Sequence, residues 1–239
     1  MSVFNVKSNT LKIALFATGM SGIVAEYILA TLATYFIGDS VFQWAIVVSL
    51  MMFFMGVGSR VSRYFINNLL EIFVKVELTL SLAVGFSSII VYLIASFSPS
   101  TSFVVYLLAS FIGLLIGLEI PLAVRINEEY QNLRVNISSA LENDYYGCLL
   151  GGVFFVFVGL PWMGLTYMPF ALALVNLFVA IILYHGTGYS IFQFRKTIVF
   201  AYLVLLLLIL GILFSKEIII YGEQIKYTDK VIYSRQSRY

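Results

Sequence analysis

Long apolar runs separated by short polar breaks dominate this chain. Stretches at roughly 11–37, 41–57, 76–97, 102–124, 143–160, 165–184 and 197–214 carry few charges. A hydrocarbon core about 30 Å thick needs about 20 helical residues at 1.5 Å rise each. The seven stretches approach that length. The pattern therefore predicts an all-α, polytopic membrane protein with about seven transmembrane helices over residues 1–214. Connections 38–40, 98–101 and 161–164 leave room only for tight turns, which predicts three hairpins: first helix with second, third with fourth, fifth with sixth. Near residue 215 the apolar runs give way to Lys216-Glu217. Ile218–Tyr221 and Lys230–Tyr233 are rich in Ile, Val and Tyr and read as strands, so 215–239 is expected to be a short β-prone tail.

Composition agrees with a lipid solvent. Hydrophobic residues make up 61% and charged residues 11%, whereas soluble domains run near 25% charged. Too few polar residues are present to cover a water-facing surface. The net charge of +2 and the dispersed basic residues give no argument for a nucleic-acid partner. The lone Cys148 excludes an internal disulfide, and one His with one Cys cannot close a metal site. The first apolar run is too long for a signal peptide and has no small-residue cleavage site, so none is expected.

The basic residues choose an orientation. Lys7 and Lys12 precede the first helix, Arg60, Arg63 and Lys75 lie between the second and third, Arg125 and Arg134 follow the fourth, and Arg195 and Lys196 precede the seventh. The tight turns contain no Lys or Arg. The positive-inside rule places the N-terminus and the longer loops in the cytoplasm. A seventh crossing then sends a tail with Lys216, Lys226, Lys230, Arg235 and Arg238 outside, against the same rule.

Four acids interrupt the apolar stretches: Glu26, Glu77, Glu119 and Asp144. A charge at the centre of a bilayer costs roughly 2.5–3.5 kcal/mol on insertion scales, so such residues usually have a partner or a task. Glu26 has no basic residue near it in sequence. It reads either as a protonated carboxyl bonded to a neighbouring helix or as a proton-relay or ligand contact. Glu119 precedes Pro121, which frees a carbonyl near Gly117. It reads as part of an ion or ligand pocket, or as one half of a pair with a neighbouring Arg. Glu77, close to Lys75, reads first as an interfacial salt bridge. Asp144 reads first as an N-terminal cap of the fifth helix, where the helix dipole favours an acid. Glu77, Glu119 and Asp144 all fall toward the cytoplasmic side and can converge on one polar cleft. Gly113 with Gly117, and Gly147 with Gly151, have the spacing that lets membrane helices approach closely. Asn176 reads as a helix–helix hydrogen bond and His185 as interfacial. No P-loop, dinucleotide fingerprint, nucleophile elbow or zinc-protease motif is present, so no catalytic, cofactor-binding or metal residue is assigned.

Several motifs, in order, resemble the membrane domain of membrane-bound spermidine synthases. They are Glu26 through Val41, Met55-Gly56-Val57-Gly58-Ser59-Arg60, Gly113 through Leu122, Asp144-Tyr145-Tyr146-Gly147 with Gly151, and Leu160-Pro161 with Gly164-Leu165. The tail Tyr227–Tyr239 resembles the opening of the aminopropyltransferase domain. In that family a soluble domain binds decarboxylated S-adenosylmethionine and transfers an aminopropyl group to a polyamine. The resemblance implies a membrane module without that domain's cofactor loop or acidic catalytic residues, expected to be a truncated form. It also implies the bacterial cytoplasmic (inner) membrane, with a catalytic domain, lipid and a polyamine or lipid headgroup as partners. An external tail would separate such an enzyme from a cofactor made in the cytosol. Two other readings stand beside it: a transporter of small cations or polyamines that uses the buried carboxylates, and a purely structural anchor whose acids lock helices together.

Overall fold

The computed structural model describes residues 3–97, 101–128, 132–186 and 195–226. These residues form helices and the short links between them: α1 (Val3–Ile37), α2 (Ser40–Ser62), α3 (Leu69–Phe97), α4 (Thr101–Asn127), α5 (Leu133–Phe154), a π-helical segment (Phe155–Met163), α6 (Gly164–Gly186) and α7 (Arg195–Lys226). The expected all-α class holds. Six stretches are long and apolar enough to cross a membrane, rather than the seven expected. The fifth is a run of 52 residues, Leu133–Tyr184, that takes in α5, the π-helical segment and α6.

The two tight turns in view have a simple backbone cause. Gly38 and Asp39 take φ of 89° and 45° in succession, and this left-handed pair reverses the chain between α1 and α2. The Asp39 carboxylate accepts the Phe42 N–H at 3.3 Å and so caps α2. Gly164 has φ of 62° and stands where the π-helical segment meets α6. The 98–100 turn lies outside the described residues.

The tail differs from its expected form. Ile218–Tyr221 is helical, because α7 continues unbroken to Lys226. Ile and Val favour strands only where cross-strand neighbours exist, and here a long apolar helix reaches this segment first. Lys230–Tyr233 lies outside the described residues. The fifth helix also begins earlier than expected, at Leu133.

The bundle is not built mainly from sequential hairpins. Its most extensive pairings are α2 with α4, α1 with α5, and α3 with α6. α1 runs through the middle and also meets α2, α4 and α6. Val24, Leu29, Ala30, Leu32 and Ala33 of α1 are fully buried. Arg125 on α4 donates to the Ser62 carbonyl at 3.0 Å and the Phe65 carbonyl at 2.6 Å, which ties the α2–α3 link to α4.

Glycine decides which helices pair. A Cβ at Gly113 would lie 2.7 Å from the Met51 carbonyl oxygen, and one at Gly117 would strike the Met55 carbonyl. Across the same interface a Cβ at Gly58 would strike the Leu114 carbonyl. Between α1 and α5, Gly147 sits on the Phe16 carbonyl and Gly151 on Met20, whose carbonyl oxygen is 2.6 Å from the Cβ position. Backbone therefore rests on backbone at both interfaces, where dispersion and weak Cα–H contacts are strongest.

Outside this interior the surface stays apolar. Phe53 and Met52 on α2, Phe103 on α4, Leu149 on α5 and Leu213 on α7 are all more than half exposed. Apolar faces this continuous are far larger than a soluble monomer exposes.

Two single substitutions separate close packing from glycine's other effects. Gly117→Ala is expected to destabilise the bundle by about 1–3 kcal/mol, the usual range for overpacking. Gly56→Ala has nothing within 4 Å of the new methyl and should stabilise the bundle by about 0.5–1 kcal/mol, the helix-propensity gain of Ala over Gly. Thermal unfolding in detergent reads both, and equal effects would refute the close-packed role of Gly117.

Candidate functional site

One turn of α1, Thr18-Gly19-Met20-Ser21, is where the other helices deliver their polar groups. The Thr18 side chain is hydrogen-bonded to the Glu119 carboxyl of α4, and its own hydroxyl also reaches the Leu15 carbonyl at 3.1 Å. Gly19 leaves room for α5: a Cβ there would lie 2.7 Å from Asp144 Oδ1. Ser21 donates to Asn176 Oδ1 of α6 at 2.5 Å. Cys148, one turn after Asp144, donates to the Gly19 carbonyl at 3.4 Å. Small side chains thus let four helices bring polar atoms to one level.

Glu77, Glu119 and Asp144 form a row of successive electrostatic neighbours, and Glu26 is linked to them only through Cys148. Glu77 lies in the field of Glu119, and Glu119 in the field of Asp144. Cys148 lies within the fields of both Asp144 and Glu26. Burial grades along the row: Glu26 and Asp144 are partly exposed, Glu119 is 2% exposed and Glu77 is fully enclosed. The row is extended, and among the described residues no three acid, His or Cys side chains gather closely enough to hold a metal ion.

Unmet hydrogen bonds mark the closed end. Both carboxyl oxygens of Glu77, Oε1 of Glu119 and Nδ2 of Asn176 are buried with no partner. Ser81, one turn after Glu77, donates to the Ala173 carbonyl at 2.6 Å. Ala173 in turn is three residues before Asn176, so Glu77 and Asn176 occupy neighbouring turns of the α3–α6 interface. An anion in such a place costs several kcal/mol when no opposite charge accompanies it.

Three readings of single acids need correction. Glu77 is not paired with Lys75, which bridges Glu71 at 2.7 Å. Residues four apart share a helix face, whereas two apart point about 200° away from each other. Asp144 is not a helix cap, because α5 begins at Leu133, eleven residues earlier, with Asn132 in the cap position. The pairing of Glu119 with a neighbouring Arg is not seen among the described residues, and Arg125 donates instead to the Ser62 and Phe65 carbonyls. The interhelical role read for Asn176 holds. The side chain of His185 lies outside the described residues. Thr18, Ser21 and Gly19 were missed, although two hydroxyls three residues apart beside glycines in an apolar helix are a readable signal.

The chain is thus a helical protein with bilayer-length apolar helices and a row of buried carboxyls. Its relatives give that class a name. It is 42% identical over 234 residues to polyamine aminopropyltransferase 2 of Aquifex aeolicus, across 97% of this chain and 46% of that protein. It is 36% identical over 96% of its length to polyamine aminopropyltransferase of Leptospira interrogans, and 35% identical over 91% to that of Oceanobacillus iheyensis. The chain is a relative of the polyamine aminopropyltransferases and spans a little under half of their length, 43–46%. No family model matches the chain, and no solved structure matches it.

The orphaned carboxyl makes a stability prediction. Glu77→Met keeps the volume and removes the buried oxygens, so thermal unfolding in detergent should move to higher temperature. Replacing buried charge with packed apolar groups commonly stabilises by about 1–4 kcal/mol. A marked fall instead would make Glu77 a structural lock and refute its standing as an unpaired, destabilising acid.

Proposed function

We propose that this chain is the membrane-embedded module of a polyamine aminopropyltransferase-like protein, resident in the cytoplasmic membrane of a bacterium. The observation that carries the proposal is the 42% identity over 97% of the chain, in a segment whose helices match the thickness of a bilayer.

Seven crossings suit the geometry. A 52-residue helix would be about 78 Å long, more than twice the hydrocarbon core. Gly159 of the π-helical segment packs on Met168 of α6 across the positive-φ Gly164, so α5 and α6 would cross separately. The basic residues set the N-terminus and the 63–68 link on the cytoplasmic side. The Gly38-Asp39 turn, the Gly164 turn and the end of α7 then lie on the other side.

The carboxyl row gives the module a ligand chemistry. Glu26, Asp144, Glu119 and Glu77 offer carboxyls that can ionise against an arriving cation in a medium that screens charge weakly, with no ion pair to any of them among the described residues. A polyamine's ammonium groups are the complementary partner. Glu26 and Asp144 meet the ligand first, and Glu119 and Glu77 take the terminal ammonium. The transporter reading gains no observation of its own. The aminopropyl transfer itself, with decarboxylated S-adenosylmethionine, belongs in this proposal to the remaining length of such proteins, and with seven crossings the cofactor would have to reach that length on the side away from the cytosol.

Two experiments test the parts separately. In a Cys148→Ala background, an impermeant maleimide applied to intact cells should label Ser40→Cys, Trp162→Cys and Tyr221→Cys. Asn67→Cys should label only after permeabilisation. Labelling of residue 162 from the cytoplasm would refute the seven-crossing reading. For the ligand, calorimetry in nanodiscs should detect spermidine binding that Glu119→Gln weakens about tenfold or more, the worth of one charge-assisted hydrogen bond. Equal affinity in the two proteins would remove Glu119 from the ligand site.

A further inference from the structure

Among the described residues a further cavity lies away from the carboxyl row. A groove of about 350 Å³ lies between α3, α6 and α7. Its walls are Val74, Leu177, Ala180 and Ile181 on one side and Ala201 and Leu205 on the other. The volume falls in the range of small-ligand sites. α6 and α7 touch only sparingly here, so the groove is a gap in the bundle and not a seam.

One end is polar and carries charge. Thr197, nearly enclosed, lines that end and bonds Glu71 Oε1 at 3.3 Å. Glu71 also bridges Lys75 at 2.7 Å and lies in the field of Lys196. Lys75 and Lys196 are both exposed. The rim therefore holds two cations and one anion, with one positive charge in excess. Tyr184 adds a ring at the same level, the kind of side chain enriched where membrane meets water.

The depth is informative. From Thr197 to Leu205 is eight residues, about 12 Å along a helix, close to the half-thickness of a bilayer core. On the orientation proposed above, α3 begins, α6 ends and α7 begins at the cytoplasmic face, so the basic rim sits at the inner headgroup level. A second helix cannot enter, since a helix with side chains is about 10–12 Å across. A single acyl chain can.

We propose that this groove binds one anionic phospholipid of the inner leaflet, with an acyl chain against Ala180, Ala201 and Leu205 and the phosphate between Lys75 and Lys196. The inference rests on the membrane residence proposed above but not on the polyamine site. Basic pockets between helices on the cytoplasmic side are a known physical basis for anionic lipid recognition. The bound chain would fill the gap between α6 and α7, while α7 stays packed on α3.

Native mass spectrometry of the purified protein, incubated with equal phosphatidylglycerol and phosphatidylcholine, tests this. One phospholipid should be retained, with phosphatidylglycerol favoured about fivefold, the effect of one basic residue at a membrane surface. Ala201→Trp should empty the groove. Val199→Trp, an equal substitution on an exposed face of α7, should not. Lys196→Gln should keep a lipid bound and abolish the headgroup preference, a result that does not depend on whether the tryptophan variant folds. Wild type that retains no lipid, equal retention in both tryptophan variants, or an unchanged preference in Lys196→Gln would each overturn the proposal. Extraction of membranes with alkaline carbonate reports separately on membrane residence. A protein that stays with the membrane yet holds no lipid defeats only the groove.

Discussion

Backbone-to-backbone contact through glycine is the constraint on which this structure rests. At Gly113 and Gly117 the chain of α4 lies directly on the carbonyls of α2, and at Gly147 and Gly151 that of α5 lies on α1. Helices held that close leave no room for water between them. The polar groups trapped inside must then be satisfied by one another or not at all. The turn Thr18–Ser21 satisfies some of them, through Glu119 and Asn176. Glu77 is satisfied by none. The packing thus sets the dielectric, and the dielectric gives the carboxyls their attraction for a positive charge.

Burial also orders the acids. Two of the four remain partly open and two are sealed, so an ammonium bound as proposed would meet drier surroundings at Glu119 and Glu77 than at Glu26 and Asp144. Desolvation and attraction both rise along that path. Whether the net is favourable depends on how many carboxyl oxygens an ammonium can engage at once, which is why a row suits a polycation better than a lone ion.

Much of the fold was legible from the length of the apolar runs, because each long uninterrupted apolar run forms one continuous helix. The pairing of helices was less so. Short turns suggest hairpins, yet the shapes of Gly58, Gly117 and Gly147 bring α2 to α4 and α1 to α5. The early start of α5 was hidden because Asn136, Glu142 and Asn143 look like a loop when read alone. Asn136 in fact exchanges hydrogen bonds with Asn127 and the Val124 carbonyl of α4, so its polarity is spent inside the protein. All four acids could be picked out as costly residues. The environment of Glu77 was misread from its nearness to Lys75 in sequence, although helical spacing alone pairs that lysine with Glu71. Thr18 and Ser21 escaped notice because hydroxyls are common in apolar helices, and only the tertiary arrangement shows what they face.

The central claim is that lipid surrounds this bundle while the Glu77 and Glu119 carboxyls point away from it. A lipid-soluble diazirine, photolysed in membranes and mapped by peptide mass spectrometry, reads this directly, since the carbene inserts readily into a carboxyl O–H bond. Adducts are expected on the outward residues Met52, Phe53, Leu203 and Leu213, and none on Glu77 or Glu119. Adducts on either carboxyl, or unlabelled outer faces, would contradict the claim.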